Sequence, residues 1–138
     1  MRRRSGGGGG RVEFVEGVML LDHSSDTGYQ PPLDVTEVDD CVRILLEMPG
    51  IPADKVQVLV RGDRIEVVGE KLPDFPKGEI SFLCLERGFG KFCRSFEVMG
   101  PVNLGMISAR QKDGILTITI PKISERRGRE RRIPVVQD

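Results

Sequence analysis

Apolar and polar residues alternate with a period of two through most of the chain after residue 33. The stretch CVRILLEM, which begins at residue 41, is typical of this pattern. Such alternation, rich in β-branched residues and bounded by glycine, proline and aspartate, predicts half-buried β-strands. The side chains predicted to share the faces of these strands are Val42, Ile44, Leu46, Met48, Val56, Val58, Val60, Ile65, Val67, Ile80, Phe82, Cys84, Phe92, Arg94, Phe96, Val98, Leu116, Ile118 and Ile120.

The connections between these strands favour an antiparallel arrangement. Lys112-Asp113-Gly114-Ile115 predicts a hairpin, because Asp-Gly tolerates the positive φ angles of a type I′ turn. No segment after residue 33 keeps a helical period. The fold class that follows is all-β, an immunoglobulin-like antiparallel β-sandwich.

The first 32 residues differ from the rest in composition. Five consecutive glycines, Gly6 to Gly10, are expected to act as a flexible linker. We therefore expect a flexible N-terminal arm over residues 1–32, one domain over 33–121 and a C-terminal extension over 122–138. An apolar patch on the arm consists of Phe14, Val15, Val18, Met19 and Leu20.

Charge and cysteine content narrow the functional class. The chain has 21 basic and 21 acidic residues, which argues against a dedicated nucleic-acid binder. Three cysteines cannot all pair within one chain, no apolar run would span a membrane, and no signal peptide is recognisable. These features predict a cytoplasmic protein with reduced thiols and without membrane partners.

Catalytic and metal sites have little support. His23-Ser24-Ser25-Asp26 contains the residue types of a catalytic triad, but triads depend on geometry rather than adjacency. The chain has one histidine and no glycine-rich phosphate loop of the G-x-x-x-x-G-K-[ST] kind. We predict no enzyme activity, metal, cofactor or nucleotide.

The three cysteines have two interpretations. Cys84 and Cys93 are too far apart in sequence for the close pairs of zinc sites. Cys41, Cys84 and Cys93 are more often small apolar fillers. Oxidation of Cys84 or Cys93 near a dimer contact is the alternative.

Taken in order, the predicted strands resemble the α-crystallin domain of small heat shock proteins. The segments DVTEVDDCVRILLEMPGI, VQVLVRGDRIEVVGEK, ERGFGKFCRSFEV and ARQKDGILTITIPK follow that family's order over residues 33–121. The resemblance is to the bacterial and plant branch. The most specific matches are Ala109-x-x-x-Asp113-Gly114-x-Leu116 for the closing hairpin, Phe92-x-Arg94-x-Phe96 for the interface strand and Met48-Pro49-Gly50 for the first connection.

The resemblance implies a dimer in which a strand is exchanged between subunits, and GEISFLCLERGFGKF occupies the place of that strand. It also implies that Arg94 lies at the dimer interface. The spacing alone predicts a partly buried Arg94 that needs a carboxylate or carbonyl partner, with an exposed strand arginine as the alternative. The expected interface residues are Ile80, Phe82, Cys84, Phe92, Arg94 and Phe96.

The tail motif Ile133-Pro134-Val135 resembles the anchor by which members of this family join dimers into larger assemblies. Residues two apart in an extended chain point the same way, so two aliphatic side chains project together. Proline restricts the backbone between them and lowers the entropy lost on docking. The alternatives are that the tail packs on its own subunit or is disordered. The resemblance implies a receiving groove near Val58, Val60 and Ile107.

These features together predict an ATP-independent holdase chaperone that binds unfolding proteins as a dimer-based homo-oligomer. The apolar patch on the arm is the first candidate for client binding, unless it packs inside the oligomer. The receiving groove is the second. The rival hypotheses are a p23-type β-sandwich co-chaperone that serves one partner and, less favoured, nucleic-acid binding through the basic tail.

Overall fold

The computed structural model describes residues 11–13, 18–24, 29–123 and 132–137. Strands are the main regular structure of its described part, which also contains two short 3-10 turns at Ala53–Lys55 and Leu104–Met106. No helix in these ranges is long and apolar enough to cross a bilayer. The strands are β1 Arg11–Glu13, β2 Met19–Asp22, β3 Leu33–Val38, β4 Cys41–Glu47, β5 Val56–Arg61, β6 Arg64–Lys71, β7 Gly90–Met99, β8 Ser108–Lys112 and β9 Ile115–Pro121.

The strands form two antiparallel sheets that pack face to face. Sheet A has the order β1-β2-β7-β6-β5, and sheet B has the order β3-β4-β9-β8. Every pairing is antiparallel. The predicted all-β sandwich is therefore confirmed. Within the described residues, β5 ends sheet A, while β3 and β8 are the two edges of sheet B.

The core lies between the inner faces of the two sheets, as the alternation predicted. Val42, Ile44, Leu46 and Met48 are fully buried, as are the inward residues of β6 and β9. Burial at this level stabilises by about 1.5–3 kcal/mol for each large aliphatic side chain. The predicted hairpin is also present: Lys112 pairs with Ile115, while Asp113 and Gly114 have φ angles of 52° and 77°.

The N-terminal boundary of the domain differs from the prediction. β2 pairs with β7, and Val18 and Leu20 are 1% exposed within the core. Residues 18–22 thus belong to the sandwich rather than to a flexible arm. The physical reason is that β7 has an open edge and the apolar residues at 18 and 20 alternate like those of the other strands.

The long connection between β6 and β7 also differs. EISFLCLE forms no strand within this single subunit, and the described residues 72–89 contain no paired strand. A strand needs a hydrogen-bonding neighbour, and in this structure the loop pairs with none of the strand edges of its own subunit. The cysteines differ as well, because Cys84 and Cys93 are exposed rather than buried fillers and Cys41 is half-buried.

Candidate functional site

The C-terminal tail lies clear of the sandwich. Ile133 is 68% exposed and Val135 is 96% exposed, while the next residue, Val136, is 83% exposed. Packing of the tail on its own subunit, one of the alternatives considered above, is therefore not the arrangement found in residues 132–137. Two aliphatic side chains of the same extended segment are left available for another surface.

The residues of the predicted receiving groove lie on β5 and just before β8, which are edge strands of the two sheets within the described residues. Val58 and Val60 pair with Val67 and Ile65, whose side chains are buried, so they face the inside of the sandwich. Val60 is nevertheless 38% exposed, because β5 is an edge strand. Ile107 precedes β8, packs against the core and is half-buried.

A side-chain hydrogen bond joins β8 to the segment that leads into β5. Gln111 on β8 donates from Nε2 to the backbone oxygen of Ile51 at 2.6 Å, close to the start of β5. Met106, at 65% exposure, adds a large apolar side chain beside Ile107. Within the described residues, β5 and β8 are unpaired edge strands with exposed apolar side chains beside them, and such edges suit addition of an extended peptide.

The loop over residues 72–89 folds back on itself through aromatic contacts. The Phe75 ring lies 4.9 Å from the Phe82 ring and 5.3 Å from the Phe89 ring, both edge to face. An exposed ion pair joins Arg87 Nη2 to Asp74 Oδ1 at 3.2 Å. The predicted interface residues Ile80, Phe82 and Cys84 are all exposed here, at 42% and 49% for the first two.

The remaining predicted interface residues lie inside the single subunit. Phe92, Arg94 and Phe96 are 4%, 6% and 0% exposed. They alternate on the inner face of β7, and β2 with the segment leading into β3 covers that end of the sandwich. In the single subunit these three side chains belong to the interior of the sandwich, and their part in a dimer interface stays a prediction.

Arg94 is the centre of a buried polar network. Its guanidinium donates to Asp22 Oδ2 at 3.1 Å, to Ser24 Oγ at 2.9 Å and to the backbone oxygen of Pro31 at 3.0 Å. The prediction of a partly buried arginine with carboxylate and carbonyl partners is confirmed, and the exposed alternative is wrong. The network ties β2, β7 and the lead-in to β3 together.

The N-terminal apolar patch is largely unavailable in this conformation. Val18, just before β2, and Leu20, within β2, are buried in the core, and Met19 is half-buried. Phe14 and Val15 lie outside the described residues. The prediction that Val18 and Leu20 form an exposed client-binding surface is therefore wrong for this conformation, because both side chains belong to the core of the sandwich.

Two of the residues with the types of a catalytic triad, His23 and Ser24, make other contacts in the structure. Ser24 Oγ accepts from Arg94 and from the backbone N–H of Ser95 at 3.0 Å. His23 Nε2 lies 3.5 Å from Glu97 Oε2, and Ser25 and Asp26 lie outside the described residues. Within those residues no cluster of three or more His, Cys, Asp or Glu side chains could hold a metal ion.

Two titratable groups on the surface are perturbed. Partial burial, followed by the negative charge of Glu66, raises the pKa of Cys93. Partial burial, followed by the carboxylate of Glu47, raises the pKa of Tyr29. Tyr29 also packs edge to face on Phe92 at 5.9 Å. The Cys93 thiol is thus held in its less reactive form.

Comparison with known proteins fits this geometry. Residues 34–136 match the Hsp20/alpha crystallin family, a range that includes the tail motif. The chain therefore belongs to the Hsp20/alpha crystallin family. It is 38% identical over 94 residues to a 17.7 kDa class II heat shock protein of Arabidopsis thaliana, covering 67% of this chain and 60% of that protein. It is also 30% identical to spore protein SP21 of Stigmatella aurantiaca, covering 82% and 67% of the two chains.

Solved structures give the same result for the fold. Heat shock protein 16.0 of Schizosaccharomyces pombe aligns with a TM-score of 0.67 at 26% identity, over 80% of this chain and 87% of that one. A small heat-shock protein of Xylella fastidiosa, described as having a distinct high order structure, aligns with a TM-score of 0.67 at 25% identity. That match covers 80% of this chain and 100% of the other. The fold class and the resemblance stated from the sequence are both confirmed.

Proposed function

We propose that this protein is an ATP-independent holdase chaperone that binds unfolding proteins and limits their aggregation, working as a dimer-based homo-oligomer. Membership of the small heat shock family supports a chaperone role in general terms. The proposal includes a cytoplasmic location and no enzymatic activity. The chain spans only 60% of the Arabidopsis relative, so activity and partners are argued from this chain's own surfaces.

The observation that carries the proposal is that one chain has both an exposed apolar tail motif and open strand edges beside the predicted receiving groove. Ile133 and Val135 project from a tail that does not cover its own subunit, while β5 exposes Val60 and the 3-10 turn before β8 exposes Met106. Two aliphatic side chains buried at about 1.5–3 kcal/mol each scarcely exceed the cost of ordering a tail. One contact is therefore weak and reversible, whereas many identical contacts in one assembly hold by effective concentration.

The predicted receiving groove is also the best candidate for the site that binds clients. An unfolding protein exposes extended apolar segments, and these fit a site built for strand addition. Tail and client would compete for it, so release of the tail would make binding surface available. The receiving groove thus replaces the N-terminal patch as the first candidate for client binding, since Val18 and Leu20 are part of the core.

The dimer in this proposal forms through the loop over residues 72–89. The loop exposes Ile80, Phe82, Leu83 and Leu85, the last two at 102% and 57%. β3 is an edge strand of sheet B within the described residues and can accept a further strand. An exchanged strand from a second copy would cover apolar residues of the loop and that edge together.

One series of variants tests the proposal by measuring the mass of the assembly and its chaperone activity. The unaltered chain should form assemblies larger than a dimer in light scattering after size exclusion, and should suppress aggregation of a heated client without ATP. Ile133→Ala combined with Val135→Ala should reduce the assembly to dimers. Val136→Ala is the matched control, because residue 136 points away from the other two in an extended segment.

A monomer that fails to protect the client would refute the proposal. An unchanged mass for the double variant would refute the role of the tail. The comparisons with known proteins give no support to the p23-type scaffold. Such a scaffold would act as a single subunit with one partner. Activity of that kind would show as a fixed complex rather than broad client protection.

A further inference from the structure

The base of the loop over residues 72–89 carries a lysine whose charge lies over two aromatic rings. Lys71 is the last residue of β6 and pairs with Gly90, the first residue of β7, so the loop leaves and re-enters the sandwich at this pair. The ammonium of Lys71 lies 5.0 Å from the centre of the Tyr29 ring and 5.8 Å from the centre of the Phe89 ring. Both distances are within the range of about 6 Å over which a ring face attracts a cation.

One of the two rings is fixed to the body of the domain. Tyr29 lies in the segment that leads into β3 of sheet B, and its ring packs edge to face on Phe92 at 5.9 Å. Phe92 is a core residue of β7 with 4% exposure. Two residues after Tyr29, the backbone oxygen of Pro31 accepts from the buried Arg94. The Tyr29 ring is therefore a firm surface against which the loop can be held.

The other ring belongs to the loop. Phe89 is the last residue before β7 and packs edge to face on Phe75, with 5.3 Å between the ring centres. The loop backbone also passes close to the fixed ring, since a Cβ added at Gly88 would lie 3.5 Å from Tyr29 Cδ2. The charge of Lys71 thus connects a ring of the domain to a ring of the loop.

We propose that Lys71, Tyr29 and Phe89 form a clamp that fixes the direction in which the loop leaves the sandwich, and that the lysine charge holds this clamp closed. The inference rests on the proposed dimer, in which the loop is the exchanged element, and adds a control on that exchange. The clamp is made within one subunit from three residues of the same chain.

A clamped loop loses less conformational freedom when it meets a partner than a loop that swings about its base. Preorganisation of this kind strengthens association, and affinity differences between related complexes fall mainly on the dissociation rate. Loss of the clamp should therefore speed the exchange of subunits between dimers. The stability of the domain should change little, because Lys71 is half-buried at the surface and outside the core.

The test mixes isotope-labelled and unlabelled chains and follows the formation of mixed dimers by native mass spectrometry. Both chains carry Ile133→Ala and Val135→Ala, so that dimers exchange rather than larger assemblies. Lys71→Met keeps the length of the side chain but removes its charge, and should raise the exchange rate about threefold or more. Lys71→Arg keeps a cation and should stay within about twofold of the unaltered rate. Lys91→Met, at an exposed lysine of β7, is the matched control.

Substitutions of Tyr29 separate the ring from its hydroxyl group. Tyr29→Leu removes the ring and should speed exchange as Lys71→Met does, whereas Tyr29→Phe keeps the ring and should not. Because the two residues act as one unit, Tyr29→Leu combined with Lys71→Met should exchange within about twofold of either single variant.

Tyr29 also reports on the clamp directly, because it is the one tyrosine of a chain without tryptophan. Its ring signals in a nuclear magnetic resonance spectrum are therefore assigned without ambiguity. A nuclear Overhauser contact between the Tyr29 ring and Gly88 should be present in the unaltered chain and in Lys71→Arg, and should be lost in Lys71→Met. The melting temperature of both variants should stay within about 3 °C of the unaltered chain.

The outcomes separate this inference from the proposed function. Dimers whose exchange rate ignores Lys71→Met or Tyr29→Leu would overturn the clamp and leave the dimer intact. A chain that is a monomer at every concentration would overturn the proposed dimer, and the clamp would then stand or fall by the Tyr29–Gly88 contact in the same variants. If Lys71→Met lowers the melting temperature by much more than about 3 °C, the lysine stabilises the whole fold rather than positions the loop, and the inference is wrong.

Discussion

Loss of Arg94 should be among the most destabilising single changes in this domain. The Arg94 and Asp22 side chains are 7% and 4% exposed and their charged atoms lie 3.1 Å apart. Arg94→Met would leave the aspartate buried without this guanidinium and would remove donors from Ser24 Oγ and the Pro31 oxygen. Breaking a buried pair from one side costs about 3–5 kcal/mol.

This loss in the free energy of unfolding is large relative to the total stability of the domain. A domain of this size has a free energy of unfolding of about 5–15 kcal/mol. With a shift of about 4–8 °C per kcal/mol in small domains, a loss of about 3–5 kcal/mol should lower the melting temperature by about 12–40 °C. The measurement is thermal unfolding followed by circular dichroism, repeated in urea to obtain the free energy directly.

Two further variants make the result interpretable. Arg110→Met, at an exposed arginine of β8, should shift the melting temperature by only a degree or two. Asp22→Leu combined with Arg94→Met should recover part of the loss, because two apolar side chains leave no buried charge. If Arg94→Met melts within about 3 °C of the unaltered chain, the network does not hold the domain together in solution.

Two other predictions concern single residues. In a variant whose other two cysteines are serine, Glu66→Gln should speed the reaction of Cys93 with a disulfide reagent at pH 8, because the carboxylate helps to raise the pKa of that thiol; an equal rate would contradict this. Gly114→Ala should lower the free energy of unfolding by about 1–3 kcal/mol in urea, because φ is +77° and the new Cβ would lie 3.2 Å from Pro49 Cα; unchanged stability would contradict it.

The sandwich could be predicted from the sequence because its strands are locally encoded. Val42, Ile44 and Leu46 alternate with polar residues, and the Asp-Gly turn fixes the register of β8 and β9. Each of these signals acts over a few residues. The family motifs then placed the strands in order, and the structure agrees with that order.

The buried network could be predicted only in half. The position of Arg94 between two aromatic residues on one face indicated burial and the need for a partner. The partner itself is 72 positions away in sequence, and nothing local marks it. A signal was present, however: Val18, Leu20 and Asp22 recur at every second position, which is the pattern of a strand with a charged residue on its inner face.

The loop before β7 shows why alternation cannot identify a contact by itself. Ile80, Phe82 and Leu83, Leu85 give two apolar faces to the same segment, and sequence alone does not rank them. The structure does, because one face is already engaged by Phe75 and the other is open. An interface between copies is therefore decided by what the free subunit leaves unsatisfied, and that quantity exists only once the chain has folded.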